Sequence, residues 1–302
     1  MSDVLVVGGM NVDTLAHIDG AAIQATSNPG RLARAAGGVG RNVAANLNQL
    51  GDSVTLVGAV GDDDDGDYLL ESIAGVDTSR VRRIDRTGSY LAVIDGSGEL
   101  VIGVADMSAT EALTPEDVGS AAGFDWVCAD GNLLPETLAA VVAAAREADV
   151  PAVLDPVGVA KARRLGVLET LQVHTFTPNR DELTAFAGTD GLLTAVGRAH
   201  DRGVEWLWLR EGPSGSRLYG PDGRVRHVPA YRGEVVDVTG AGDAMLAGYL
   251  HALGQGADPA EAAEYGAAAA ALTIASPQPV RPDLDADLLT RTVTPAWERG
   301  HA

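Results

Sequence analysis

The chain has 302 residues, of which 46% are hydrophobic and 4% aromatic, and it carries a formal net charge of −20. That hydrophobicity excludes a disordered chain and lets Ala, Val and Leu fill a sizeable core. The charge excludes non-specific binding of nucleic acid or of an anionic membrane, since both need basic surface, while an anionic ligand at a helix terminus stays open.

The first nine residues run into a short apolar strand without a basic leader, and no apolar stretch reaches the roughly 18 residues of a membrane span. A cytoplasmic protein is expected. Residues 4–8 read as a buried strand, a β-branched run ended by Gly8-Gly9. Residues 40–50 read as a helix with Val43, Leu47 and Leu50 on one face; 54–60 read as a strand and 66–73 as a helix. Between 81 and 104 the pattern changes. Strand-like pieces at 90–94 and 100–104 flank the turn Asp95-Gly-Ser-Gly98, with no helix between them, which predicts a small antiparallel sheet projecting from the main body.

From there strands and helices alternate. Thr114-Pro-Glu-Asp117 reads as a helix start, with Thr as cap and Pro at the first position. Strands are expected at 126–129, 152–155, 174–177 and 205–210, and helices at 135–148, 180–187 and 192–201. This alternation predicts a mostly parallel sheet covered on both faces. Residues 216–228 read as a hairpin turning at Pro221-Asp-Gly223, followed by Ala-rich helices at 242–253 and 259–275. The lone cysteine, Cys128, excludes an intrachain disulfide, and the scattered histidines show no zinc spacing.

Several phosphate chemistries are excluded by their missing residues. A Walker A loop needs a lysine after a glycine; the single lysine, Lys161, follows Ala160. A protein-kinase fold requires a strand lysine. Gly8-Gly9 lacks the full spacing of a dinucleotide fingerprint, and no Gly-x-Ser-x-Gly elbow occurs. The acidic run Asp62-Asp-Asp-Asp65-Gly66 does not fit an EF-hand loop and reads as a turn before a helix.

The most informative segment is Val235-Val-Asp237-Val-Thr239-Gly240-Ala241-Gly242-Asp243, a β-branched strand running through two glycines into a helix. Backbone N–H groups at Gly240, Ala241 and Gly242 would hold the charge of a phosphoryl group in flight, and bare glycines allow its close approach. Asp243, in the first helical turn, reads either as the base for an attacking hydroxyl or as a charge that stabilises the helix N-terminus.

This segment resembles the C-terminal signature of the PfkB, or ribokinase-like, carbohydrate kinases. Gly37-Gly38-Val-Gly40-Arg-Asn42-Val-Ala resembles their N-terminal signature, and Asn11 and Asp13 form an Asn-x-Asp pair after the first strand, as in that family. The resemblance implies a single domain over residues 1–302: a three-layer α/β sandwich with a mostly parallel central sheet. It also implies a small β-sheet lid, from segments near 11–36 and 81–106, that often pairs subunits. It implies an ATP-dependent kinase, with Asn11, Asp13, Gly38, Gly40 and Asn42 on the sugar hydroxyls and Asp243 as base. Asn179-Arg-Asp-Glu182 resembles the motif that orders Mg²⁺ and the ATP phosphates through water, or is a helix start with helpful acids. Arg210, Gly212, Gly215, Thr239 and Gly242 would border ATP, and Asp237 with Thr239 would lie near a monovalent cation such as K⁺.

The family acts on sugars, nucleosides and vitamins, so the fold does not name the acceptor. Ser27-Asn-Pro-Gly30, Asp106-Met107, Ala129-Asp-Gly-Asn132 and the residues from His174 to Arg180 resemble those members that phosphorylate the nucleoside pseudouridine on its 5′-hydroxyl. On that resemblance Ser27, Asn28 and Met107 would meet the base and Asn132 the ribose, although Asn28-Pro29-Gly30 also reads as a plain turn. A kinase for ribose, inosine or adenosine, or a non-catalytic nucleoside-binding protein on the same fold, stays as the alternative. Homodimerisation through the lid is expected.

Overall fold

The computed structural model describes residues 1–231 and 233–293. Its centre is β1 (Asp3–Val7), which pairs in parallel with two strands distant in sequence. Alternate residues of β1 enter different layers, as the two-residue period of a strand requires. Val4 and Val6 pack with Val43, Leu47 and Leu250 on one side; Leu5 and Val7 pack with Leu138, Leu165 and Leu183 on the other. A strand buried on both faces reads as an unbroken apolar run, which is what residues 4–7 are.

The chain leaves β1 into the small sheet through β2 (Asn11–Ile18) and β3 (Gly30–Gly37), and returns along α1 (Val39–Gln49) to β4 (Ser53–Gly61). After α2 (Asp64–Glu71) comes β5 (Asp77–Ile84), then β6 (Gly88–Ile94) and β7 (Leu100–Asp106) complete the small sheet. Two short helical turns, α3 (Ser108–Glu111) and α4 (Pro115–Val118), lead to β8 (Trp126–Asp130). Regular alternation follows: α5 (Pro135–Glu147), β9 (Ala152–Asp155), α6 (Val159–Leu165), β10 (Val173–Phe176), α7 (Arg180–Ala187), α8 (Leu192–Asp201) and β11 (Val204–Arg210). The hairpin β12 (Ser216–Tyr219) and β13 (Val225–Val228) precedes α9 (Ala241–Gly254), α10 (Pro259–Ile274) and α11 (Ala286–Thr292).

The main sheet has nine strands in the order β13-β12-β11-β10-β9-β8-β1-β4-β5, parallel except for the hairpin at one edge. Helices α4 to α8 contribute side chains to the core on one face, and α1, α2 and α9 to that on the other. The small sheet, β3-β2-β6-β7, joins two antiparallel pairs through a parallel β2–β6 contact in which Asn11 faces Gly88.

Two expectations differ from the structure. Residues 81–84 belong to β5 and pair with β4 in the main sheet, so the second segment of the small sheet begins at Gly88. Residues 235–238 form no strand: the N–H groups of Val236 and Asp237 both donate to the Ile274 carbonyl at the end of α10, which leaves Val235, Val236 and Val238 exposed. The helix start read at residues 114–117 is borne out: Thr114 caps α4 with Pro115 in its first turn, and Gly119 at φ 65° ends it after a single turn.

Candidate active site

The C-terminal ends of the central strands carry the acids. Asp130 ends β8, and its buried carboxylate accepts N–H bonds from Gly9 (2.7 Å), Gly40 (2.9 Å) and Asn132 (2.8 Å). It thereby binds the end of β1 to the start of α1. The close approach needs bare glycines: a Cβ on Gly40 would stand 2.7 Å from the Cα of Gly8, and Gly38 has φ +94°. Gly40 therefore shapes the pocket, with its own N–H engaged by Asp130. Asn132 is held in turn by Lys161, whose ammonium donates to its side-chain oxygen.

Asn11 donates to Asp13 at 2.5 Å at the start of β2, and Gly37 across the ladder leaves room for the Asp13 carboxyl. Burial pushes Asp13 up to about 6, against the pull of Asn11 and the Arg41 guanidinium. Arg41 donates to the Asn42 side-chain oxygen at 3.0 Å, and the Asn42 amide donates to Asp243 Oδ2 at 2.7 Å. The two glycine-rich signatures, 201 residues apart, thus meet in one hydrogen bond.

Asp243 stands in the first turn of α9 behind Gly240, which caps the helix at φ 76°. Burial raises its carboxyl to about 8; Asn42 and Arg210 draw it down, while Asp155 and Asp130 push it further up. The first-turn N–H groups of Gly242 and Asp243 have no acceptor within the helix, as at every helix start. Ala241 differs from expectation: its N–H closes a turn onto the Val238 carbonyl at 3.2 Å.

Beneath this turn lies Arg210, the last residue of β11. Its guanidinium pairs with Asp155 at 3.1 Å and with Glu182 at 3.3 Å. Asp155 also accepts the Thr177 hydroxyl at 3.0 Å and the Val157 N–H at 2.7 Å. Glu182 and Asn179 form a capping box on α7: each side chain accepts the other's backbone N–H, at 2.8 and 2.9 Å. Burial raises Glu182, with Arg210 opposing it. Gly212 and Gly215 bracket a short 3₁₀ turn after β11, both at positive φ.

These residues fit a metal in one way only. Among the described residues no group of three or more His, Cys, Asp or Glu side chains is placed to hold an ion. A Mg²⁺ ion would therefore be held by nucleotide phosphates and water, with Asn179 and Glu182 reaching it from outside. Asp237 Oδ1 accepts both the N–H (2.8 Å) and the hydroxyl (2.7 Å) of Thr239, so the pair closes on itself.

Of the remaining expected residues, Ser27 and Asn28 lie in the loop between β2 and β3. The Asn28 side chain bonds to both backbone groups of Ile23 at 2.9 Å, the behaviour of a turn. Met107 precedes α3 and is half-buried. Sequence reasoning missed Arg41, Asp130, Asp155 and Lys161 as parts of the centre. The signal that could have found the two aspartates is their place at the ends of predicted central strands, where ligands of open α/β sheets collect.

At the C-terminal ends of the central strands, a glycine turn at a helix start, a carboxyl held on that turn and polar side chains beside it are the parts of a small-molecule phosphotransferase. The chain belongs to the pfkB family of carbohydrate kinases, whose description matches residues 1–286. It is 32% identical over 295 residues to pseudouridine kinase of Escherichia coli, covering 93% of each chain. It is also 32% identical over 276 residues to ATP-dependent ribose-1-phosphate kinase of Halopiger xanaduensis, covering 87% of each. Among solved structures, ribokinase from Thermotoga maritima superposes with a TM-score of 0.84 at 23% identity, over 97% of this chain and 99% of that one, which shows the ribokinase-like fold.

Proposed function

We propose that the protein transfers the γ-phosphoryl group of ATP to the 5′-hydroxyl of pseudouridine, giving pseudouridine 5′-phosphate and ADP. The observation that carries the kinase chemistry is the Asn42–Asp243 hydrogen bond, which ties an acceptor pocket to a phosphoryl turn. The acceptor rests on the similarity to the Escherichia coli enzyme over almost its full length.

On this reading the ribose hydroxyls meet Asn11, Asp13, Asn42 and Asn132 beside Gly38 and Gly40, with Ser27, Asn28 and Met107 on the base side. Asp243 takes the proton of the 5′-hydroxyl as its oxygen bonds to the γ-phosphorus. The bond from that phosphorus to the bridging oxygen breaks, and ADP leaves with the electron pair. The N–H groups of Gly240 and Gly242 face the charge in transfer, that of Ala241 being taken by the Val238 carbonyl. ATP lies along Asn179, Thr239 and the loop from Gly212 to Gly215. Mg²⁺, when bound with the phosphates, neutralises their developing charge. The protein acts in the cytoplasm as a homodimer paired through β7, whose Leu100, Ile102 and Val104 are 58%, 53% and 53% exposed.

The equal identity to a ribose-1-phosphate kinase supports a second reading, a kinase for another sugar or nucleoside. An ADP-release assay with Mg-ATP against pseudouridine, uridine, adenosine, inosine, ribose and ribose 1-phosphate separates the two. Pseudouridine should give the highest kcat/KM. Faster turnover of ribose 1-phosphate or adenosine would transfer the assignment to that acceptor, and ADP release with none of them would favour a binding protein.

A further inference from the structure

Both terminal nitrogens of Arg210 are committed inside the protein. Nη1 faces Asp155 and Nη2 faces Glu182; both acid side chains are only 5% exposed, and that of the arginine 20%. Nε is buried without a hydrogen-bond partner. Among the described residues no second cation forms an ion pair with either acid, so this guanidinium is the shared partner of two buried carboxylates.

The same guanidinium touches the phosphoryl turn from within. A Cβ placed on Gly242 would stand 2.8 Å from Nη1, so the arginine lies directly against that residue's backbone. The backbone of Arg210 is fixed too: its N–H donates to the Pro178 carbonyl at 2.9 Å, next to the capping box of α7. Three strand ends, from β9, β10 and β11, are therefore tied together immediately under the start of α9.

We propose that Arg210 is a positioning residue for phosphoryl transfer: clamped by Asp155 and Glu182, it braces the Gly242 backbone from inside and fixes where the turn's N–H groups meet the group in flight. This rests on the kinase reading above and replaces a direct contact of Arg210 with the nucleotide by an indirect one. A brace acts on the transition state, so its loss lowers kcat and leaves ATP binding nearly intact.

The experiment measures kcat and the KM for ATP separately in Arg210→Met, Arg210→Lys and Asp155→Asn, using whichever acceptor the wild type turns over. The expected result for Arg210→Met is a fall in kcat of about tenfold or more with KM for ATP within roughly threefold. Arg210→Lys should recover part of kcat, because it restores the charge between the two acids. Asp155→Asn keeps the guanidinium while loosening one arm, so it serves if the methionine variant does not fold; it should lower kcat about threefold or more, again at near-constant KM. A KM for ATP raised about tenfold with kcat preserved would mark direct nucleotide contact and overturn the brace, as would unchanged kcat in both Arg210→Met and Asp155→Asn. Failure of the kinase reading shows separately, as no ADP release from the wild type with any acceptor, and that result ends this proposal as well.

Discussion

At Asp243, the base proposed above, two demands meet. A base must lose its proton to work, yet burial holds that carboxyl near 8, far above its ordinary 3.8. Activity should therefore climb with pH towards about 8 and level off above it. Asn42 supplies the N–H that favours the ionised form. Asn42→Leu should move the rising limb of kcat/KM to higher pH, so that more activity is lost at pH 7 than at pH 9; equal losses at both would dismiss Asn42 as the tuning donor. The linkage to stability has a definite sign. A carboxyl raised in the folded state holds its proton more tightly there than in the unfolded chain, so its cost to folding is absent below about 3.8 and complete above about 8. Asp243→Asn should lower kcat by roughly 1,000-fold and raise the melting temperature more at pH 9 than at pH 5. Asn42 and Asp243 were legible in the sequence because glycines at fixed spacing flank them. Asp130 and Asp155 were not, since a lone aspartate at a strand end does not reveal which distant N–H or guanidinium it will meet.

Among the elements, β7 stands out. All its residues from Leu100 to Ala105 are exposed, on both faces of the strand, although four of the six are large and apolar. An uncovered apolar edge strand is a hazard for a monomer and an asset for a pair. Ile102→Asp should convert a dimer into a monomer, read by analytical ultracentrifugation, while leaving the melting transition cooperative; a wild type that sediments as a monomer would remove the pairing altogether. The alternation of strands and helices from 126 to 210 was legible because buried parallel strands are short apolar runs between amphipathic helices. Two elements were misread for physical reasons. Strand β5, Asp77–Ile84, alternates charged and half-buried residues at the edge of the main sheet, so nothing in it separates it from the small sheet that follows. The valines at 235–238 have strand propensity but no partner strand, because their N–H groups are taken by the end of α10.

Across the whole molecule, the main sheet places residues from widely separated segments in one cleft. The centre draws on β1, α1, β8, β9, β11, α7 and α9, and it is complete only when all are docked. Ligands that bridge these elements should stabilise the entire fold. At a concentration of 100 times its dissociation constant, a ligand that binds only the folded form contributes about 2.7 kcal/mol. Pseudouridine with a non-hydrolysable Mg-ATP analogue should therefore raise the melting temperature by a few degrees, and more than either does alone. A shift with the nucleotide and none with the nucleoside would remove pseudouridine as acceptor. The fold class was legible from the alternation of elements and from the family resemblance. The strand order was not, because β1 finds its neighbours β4 and β8 about 50 and 120 residues further on.

The hydrogen bond from Asn42 to Asp243 also has a meaning in time. The chain emerges from the ribosome N-terminus first, at roughly 5–20 residues per second, so the 201 residues between the two partners take roughly 10 to 40 seconds to make. Throughout that interval the first signature waits without its counterpart. A nascent chain that ends before α9 holds α1 but neither the proposed base nor the glycine turn beside it. On the proposed reading, no nascent chain that stops short of Asp243 can transfer a phosphoryl group, however well its first signature is folded.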